Sequence, residues 1–501
     1  MSNSSNPLRL GSPEQFALVR DFFRQAGFDD VTLCRVLKMA DMSDLGRVEW
    51  TEDKLAALEP ALRWCLQIFV RGQRLAAAQS KTVCGEPVLA ALQSLGLIRA
   101  TKSQPDELVC PVWVYPVAGF VMVSDRRDDP DGDEQFTPAE DVVFPAIYAG
   151  TLRFLQLLPG ARGGVALDHC GGSGVGAMLL ARTARSAVTA DVTPRSAFFA
   201  EFNARLNAVN VESLCGDLYA PVNGRQFDVI TAHPPFVPAT GANMVYRDGG
   251  ATGEEITQRL IEGLPAHLCP GGTGMILCVA RDTAEKTFEQ RAQEWLGPAR
   301  NEFDLIFGLE KVLTVEGVVD SMRKRGQQVS EADAKELYVR LRSLGTRQFV
   351  YGVLFVRRHA APIAAKPFRI GLAADGKAAH FDRLFAWRQF ARQSSFAAWL
   401  PEAKPRFAAR LQLTARHVVL EGELVPAEFV FAIETGVEAA LRPDAWVVPL
   451  LASLNGKRSI REVFMTAQQA GELPEEFKLS DFAGLVASMI ERGFYEVTFD
   501  A

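Results

Sequence analysis

A chain of 501 residues, 48% of them hydrophobic and 23% charged, can bury several cores and points to two to four domains. Its net charge of -6 and pI of about 5.7 argue against a broad basic platform for nucleic-acid phosphates, and no apolar run reaches the roughly 18 to 20 residues of a membrane-spanning helix. The eight cysteines are scattered, form no Cys-x-x-Cys pair and lie mostly in apolar surroundings, which predicts reduced thiols in a cytoplasm rather than a disulfide framework or a zinc site.

The opening MSNSSNPLRLGS has neither a cationic flank nor a following apolar segment, so no export signal is expected. Ser12-Pro13-Glu14-Gln15 supplies a capping hydroxyl, a proline at the first helical position and a glutamine that can close a capping box. Phe16, Val19, Phe22 and Phe23 then recur at helical spacing as far as Gly27. Helical patterns return at about 54 to 71 and 86 to 95, before LVCPVWVYPVAGFVMVSD (108 to 125) turns β-rich. Residues 1–135 therefore read as a helical N-terminal domain with a β element.

The acidic stretch DDPDGDEQFTPAE puts Asp129, Asp131, Asp133 and Glu140 at positions 1, 3, 5 and 12 of a calcium loop. Glu134 stands where that loop needs glycine, and no helix precedes it, so Thr137-Pro138-Ala139-Glu140 is read instead as a capping box opening a helix to about Leu158.

From Gly164 the pattern becomes strand, turn and helix in repetition, with strands at 164 to 168, 186 to 191, 211 to 215, 227 to 232 and 274 to 280. Such alternation calls for a parallel sheet covered by helices on both faces, an α/β unit spanning 136–358. Two further strands, 303 to 309 and 349 to 357, flank a charged helical insertion at 311–348. Its Arg-Lys-Arg run at 323 to 325 is interrupted by Glu331, Asp333 and Glu336, the pattern of a solvated helical face rather than an RNA surface. Residues 359–501 form a third, α+β region. Its part 442–501 runs helix, turn, helix, helix, strand, in winged-helix order, but with more acidic than basic side chains, which favours protein contact over DNA reading.

VALDHCGGSGVGAMLLAR is a strand ending at Asp168, a glycine-rich turn and a helix. Small residues let the backbone approach a ligand, and the helix start presents N-H groups to it. Asp191 closes the second strand 23 residues after Asp168, the spacing at which an acid can accept from a ribose diol. Asp217 closes the third strand, and His233-Pro234-Pro235-Phe236 follows the fourth. Each acid alone is an ordinary turn former, whereas four strand ends in register describe one crevice at the carboxyl edge of the sheet.

In DVTPRSAFFAEFNARLNAV, GDLYAPVNGRQFDVITAHPPFVPA and YRDGGATGEEITQRLIEGLPAHLCPGGTGMIL the sequence resembles class I S-adenosylmethionine-dependent methyltransferases, in the HemK-like, N-methylating branch. The resemblance covers about residues 140 to 358 and implies a Rossmann-like sheet. It further implies that Asp168, Cys170, Gly172 and Gly174 wrap the methionine part of S-adenosylmethionine, that Asp191 with Val192 holds the ribose, and that Asp217 with Leu218 frames the adenine. The family turn is Asp-x-Gly-x-Gly-x-Gly; Cys170 replaces its first glycine, a substitution compatible with the turn if φ stays negative.

The family usually places Asn before the two prolines, where its oxygen accepts from the target nitrogen. His233 could accept the same N-H, could act as a general base, or could be a structural residue satisfied by the backbone. Pro234 fixes the turn and Phe236 offers an apolar wall. Tyr246 and Arg247 are candidate substrate contacts, with Arg247 as an anion clamp or as half of a surface ion pair. No second histidine lies at ligand spacing from His233, and no metal is expected. The resemblance thus implies methyl transfer to a nitrogen of a small metabolite or a protein side chain. Oxygen or sulfur acceptors, or a nonenzymatic or RNA-binding relative, are the competing readings.

Overall fold

The computed structural model describes residues 6–132, 139–239, 244–324 and 329–499. Its centre is a sheet whose strands are β1 (Val165–His169), β2 (Ser186–Asp191), β3 (Val211–Cys215), β4 (Phe227–Ala232), β5 (Leu268–Thr283), β6 (Phe303–Leu313) and β7 (Thr346–Arg358). They lie in the order β3-β2-β1-β4-β5-β7-β6. The first five run parallel and β7 is antiparallel to both neighbours. This is a Rossmann-like α/β sheet, and the chain reverses its direction of travel between β1 and β4.

Alternation along each strand divides the apolar side chains between two faces. On β5, Met275 and Leu277 join a core containing Phe154 and Phe199, whereas Ile276 and Cys278 join one containing Leu260, Leu264 and Phe288. The helices supplying those residues are α1 (Ala149–Leu157), α3 (Pro194–Leu206), α4 (Glu255–His267) and α5 (Phe288–Trp295), with α2 (Val175–Leu180) directly after the glycine-rich turn. Local sequence starts them: Thr193 caps α3 before Pro194, and the Gln290 side chain accepts from Thr287 N at 2.9 Å at the start of α5.

The amino-terminal region docks on α3. The Ser12-capped helix Pro13–Gln25 lays Phe16 edge-on against Phe202, with ring centres 5.2 Å apart. The hairpin Trp113–Val117 and Phe120–Ser124 is met by Asn203, whose amide accepts from Val123 N at 2.8 Å and donates to Val123 O at 3.0 Å. The same amide donates to Ser173 O at 2.9 Å, tying the hairpin to the glycine-rich turn.

The pattern expected over 54 to 71 is broken by Pro60 into Glu52–Ala56 and Pro60–Cys65, the latter continuing as a π turn through Val70. The helix expected from the 137 to 140 capping box starts only at Ala149. Thr137 and Pro138 lie outside the described residues, and Pro145 disfavours a helical residue before it. In the 311–348 segment, helices Val315–Lys324 and Glu331–Ser343 are present, and Arg323, Arg340 and Arg342 pair with Glu331, Glu336 and Glu316.

Beyond residue 359 the sheet continues. Strand β8 (Phe368–Leu372) pairs in parallel with β6, and β11 (Val437–Leu441), β10 (Glu423–Thr435) and β9 (Gln412–Leu420) follow outward. The buried carboxylate of Asp304 on β6 holds Arg388 and Arg392 at the end of the helix Ala378–Ala391. Helices Val448–Ser453, Ile460–Gln469 and Leu479–Glu491 close the chain, and the short strand Tyr495–Glu496 pairs with Arg406–Phe407.

Candidate functional site

Where the strand order reverses, the carboxyl ends of β1 to β4 open into a cavity of about 1760 Å³. Asp168, Cys170, Gly172, Asp191, Val192 and Asp217 border one part of it, with Leu218 beside them. His233, Pro234, Phe236, Tyr246 and Arg247 border the other part. Gly174 does not border the cavity. A side chain there would lie 2.8 Å from Ala200 Cβ, so this glycine serves the close packing of the turn on α3.

Asp168 is buried, and its Oδ1 accepts from the Thr231 hydroxyl at 2.7 Å. Burial pushes its carboxyl up to about 7. Gly172 has φ 52, and none of the described residues lies within 4 Å of the position a Cβ would take, so its backbone faces open space in the conformation that glycine tolerates best. Asp191 accepts from Gly172 N at 2.9 Å and from Thr193 N at 3.2 Å, which orients the carboxylate and leaves lone pairs for a further donor. Burial raises its pKa. Asp217 is exposed and paired with Arg259 at 2.6 Å, and Leu218 follows it at φ 46.

Cys170 departs from the condition set by its sequence: φ is 54, in the left-handed region that disfavours a Cβ. Such strain is worth about 1 to 3 kcal/mol. Cys170→Gly is therefore expected to be at least as stable as the parent, part of the relief being offset by the freer unfolded chain. Cys170→Val, β-branched at the same φ, is expected to cost about 2 kcal/mol or more. Urea unfolding of the two variants measures both; a valine variant as stable as the parent contradicts the account.

Next to it, His169 points to the other side of β1 and is 1% exposed. It lies edge-on to Tyr219, with centres 4.3 Å apart, and Tyr219 stacks on His267 at 4.4 Å. Neither ring nitrogen of His169 has a hydrogen-bond partner among the described residues, and burial holds its pKa down at about 3. The unfolded chain takes up that proton near pH 6.5, the folded one only near pH 3, so stability is complete above 6.5 and falls as the pH drops through this window. The expected slope is roughly 1.4 kcal/mol per pH unit. His169→Leu should flatten this acid limb and raise stability at neutral pH by on the order of 1 kcal/mol. Denaturant midpoints from pH 7 to 4.5 test it; an unchanged slope in the variant rules His169 out as the source.

His233 leaves the end of β4 with its ring between Phe154, at 5.4 Å and 22°, and Phe236, at 5.9 Å and 29°. Burial lowers its pKa to about 4, so the imidazole is neutral at physiological pH. After the prolines the chain folds back on itself: Val237 N donates to Arg247 O at 3.0 Å and Gly249 N to Val237 O at 2.9 Å. This brings Tyr246 against Phe144, with centres 4.7 Å apart, and Phe144 against Tyr148 at 4.5 Å. The Arg247 guanidinium pairs with Asp248.

Several cavity residues were missed in the sequence, among them Gly150, Glu310 and Tyr351. Gly150 on α1 and Tyr351 on β7 lie on the His233 side, and Glu310 on β6 borders the same cavity and pairs with Arg153 of α1. Tyr351 carried a weak signal, a hydroxyl in the apolar strand FVYGVLF. Among the described residues no three His, Cys, Asp or Glu side chains are grouped as metal ligands would be.

Residues 145–300 match the methyltransferase small domain family. A putative protein N5-glutamine methyltransferase of Methanocaldococcus jannaschii is 32% identical over 151 residues, which are 29% of this chain and 72% of that protein. A release factor glutamine methyltransferase of Koribacter versatilis is 36% identical over 132 residues, 24% of this chain and 47% of that one. A ribosomal protein uL3 glutamine methyltransferase of Bradyrhizobium diazoefficiens is 26% identical over 194 residues, 34% of this chain and 60% of that one. The chain thus spans between about two fifths and three quarters of the length of the curated relatives it matches.

Proposed function

We propose, from the premise that this chain belongs to the class I S-adenosylmethionine-dependent methyltransferases, that it methylates the carboxamide nitrogen of a glutamine side chain in a protein. The observation that carries this reading is the shared cavity: the His-Pro-Pro-Phe segment ending β4 opens into the same space as the glycine-rich turn ending β1. Relatives whose names specify glutamine methylation support the choice of acceptor.

The residues present fit the cofactor. Asp168, Cys170, Gly172 and Gly174 line or brace the place for its methionine part, Asp191 with Val192 the place for its ribose, and Asp217 with Leu218 the place for its adenine. The open space beside Gly172 and the lone pairs left on Asp191 are the features of the structure on which that fit rests. When bound, S-adenosylmethionine supplies a methyl group already activated on a sulfonium.

The protein's task is then to position a nitrogen lone pair and to keep water out. Pro234 and Pro235 hold the turn rigid, and Phe236 walls it. His233 takes the place of the usual asparagine: its neutral ring offers one acceptor nitrogen to a target N-H and can receive the proton released after methylation. Tyr246 and Arg247 flank the approach of the polypeptide acceptor.

Incubating the purified chain with methyl-tritiated S-adenosylmethionine and unmethylated release factor or ribosomal protein uL3 tests the reading. Label is expected in protein, located to glutamine by mass spectrometry. Label appearing instead in ribosomal RNA or in small metabolites overturns it.

A further inference from the structure

Gly150 occupies the first turn of α1 with an ordinary helical backbone, where glycine is a poorer helix former than alanine. Nothing in the fold asks for it. Its φ is outside the left-handed region, and no backbone atom of the described residues from beyond its own helix lies within 4 Å of the position a Cβ would take. Among the described residues that position has only two close neighbours, His233 Cε1 at 3.8 Å and Tyr351 Oη at 4.0 Å. The side chain that is missing would therefore stand between an imidazole and a phenol on the acceptor side of the cavity. Phe154 and Phe236 sandwich the imidazole, and Phe236 also lies 6.3 Å from the Tyr351 ring, so the gap has apolar walls and two polar ends.

We propose that Gly150 and Tyr351 set the acceptor specificity of the enzyme by shaping a slot for one flat primary amide group. The inference rests on the N-methylation reading above and deepens it. A primary carboxamide has two N-H donors on one nitrogen: one points to the free ring nitrogen of His233 and the other to the Tyr351 hydroxyl oxygen. Held from both sides, the nitrogen is fixed in the plane of the slot with its lone pair directed out of that plane. In the transfer the N-C bond forms as the C-S bond breaks, the bonding pair going to sulfur. One N-H proton passes to the His233 ring nitrogen and from there to solvent. An alanine methyl at 150 occupies the slot itself. A phenylalanine at 351 keeps its walls and removes one of its two acceptors.

The test compares Gly150→Ala and Tyr351→Phe with the parent. Both are expected to bind S-adenosylhomocysteine within about twofold of the parent by calorimetry, and Gly150→Ala is expected to melt no lower, because alanine suits a helix better. Its methyl should shift the His233 Cε1-H resonance in NMR spectra without moving that of exposed His417. Methyl transfer to the labelled protein acceptor should fall about a hundredfold in kcat/KM for Gly150→Ala, the scale of a misplaced reacting group. For Tyr351→Phe it should fall about tenfold, mainly through KM, the scale of one lost hydrogen bond. Parent-like transfer by Gly150→Ala overturns the slot while leaving the N-methylation reading intact. So does a loss of S-adenosylhomocysteine affinity large enough to account for the lost transfer. If the parent labels no protein acceptor, the reading falls and the slot with it.

Discussion

Asp191→Ala is expected to weaken S-adenosylhomocysteine binding by about a thousandfold while leaving the fold in place. The carboxylate does two things at once. It accepts backbone N-H groups from Gly172 and Thr193, which fixes the turn against the end of β2, and it keeps lone pairs for a sugar diol. Hydrogen bonds to a charged group contribute about 1.5 to 3 kcal/mol each, so losing two from a ligand amounts to roughly 3 to 6 kcal/mol. Burial raises the Asp191 pKa, which adds a sign: affinity should decline on the acid side, where the carboxyl takes up a proton and loses acceptor capacity. Calorimetric titration at pH 8 and pH 5.5 measures both effects. Asp191→Asn, which keeps the shape and one acceptor oxygen, should fall between parent and alanine. An alanine variant with parental affinity would place the ribose elsewhere.

The second large effect is expected at the other part of the cavity. His233→Ala should bind S-adenosylhomocysteine like the parent and lose two to three orders of magnitude in turnover, the usual range for a group that orients a nucleophile or removes its proton. The two roles separate through His233→Asn. An amide oxygen can accept the same N-H but is no base, so recovery to within about tenfold of the parent assigns His233 to orientation, and no recovery assigns it to proton removal. Because burial holds the imidazole near 4, the ring is neutral from pH 8 down to about pH 5.5, and the ratio of parental to His233→Asn turnover at saturating cofactor should be flat over that range. Unchanged turnover in His233→Ala removes the residue from the mechanism.

The strands of the central sheet were legible because each is a short apolar run closed by a turn, and strand ends are local features. Asp168, Asp191, Asp217 and His233 come from four separate segments, yet their position at the carboxyl ends follows from the βαβ rhythm alone, and all four border one cavity. The length of the α1 helix was not legible, since the apparent cap upstream competes with Pro145 and with a turn that stacks Phe144 on Tyr148 and on Tyr246. Nor was the sign of φ at Cys170, which the closing of the turn decides rather than the residue itself. Gly150 and Tyr351 escaped for a different reason. They lie 201 positions apart and meet only where α1 comes against β7, so the weak local signal of Tyr351, a hydroxyl in an apolar strand, had nothing nearby in sequence to give it meaning.

One property of the sheet bears on how the molecule is to be handled. Strand β8 occupies the flank of β6 that a seven-stranded sheet would leave bare, and the guanidiniums of Arg388 and Arg392 neutralise a carboxylate, Asp304, that is wholly enclosed. Excising everything after β7 would thus uncover a row of thirsty amides and strand an anion without its counterions, inviting neighbouring molecules to stick along that seam. The tail is masonry for the catalytic half, whatever else it contributes.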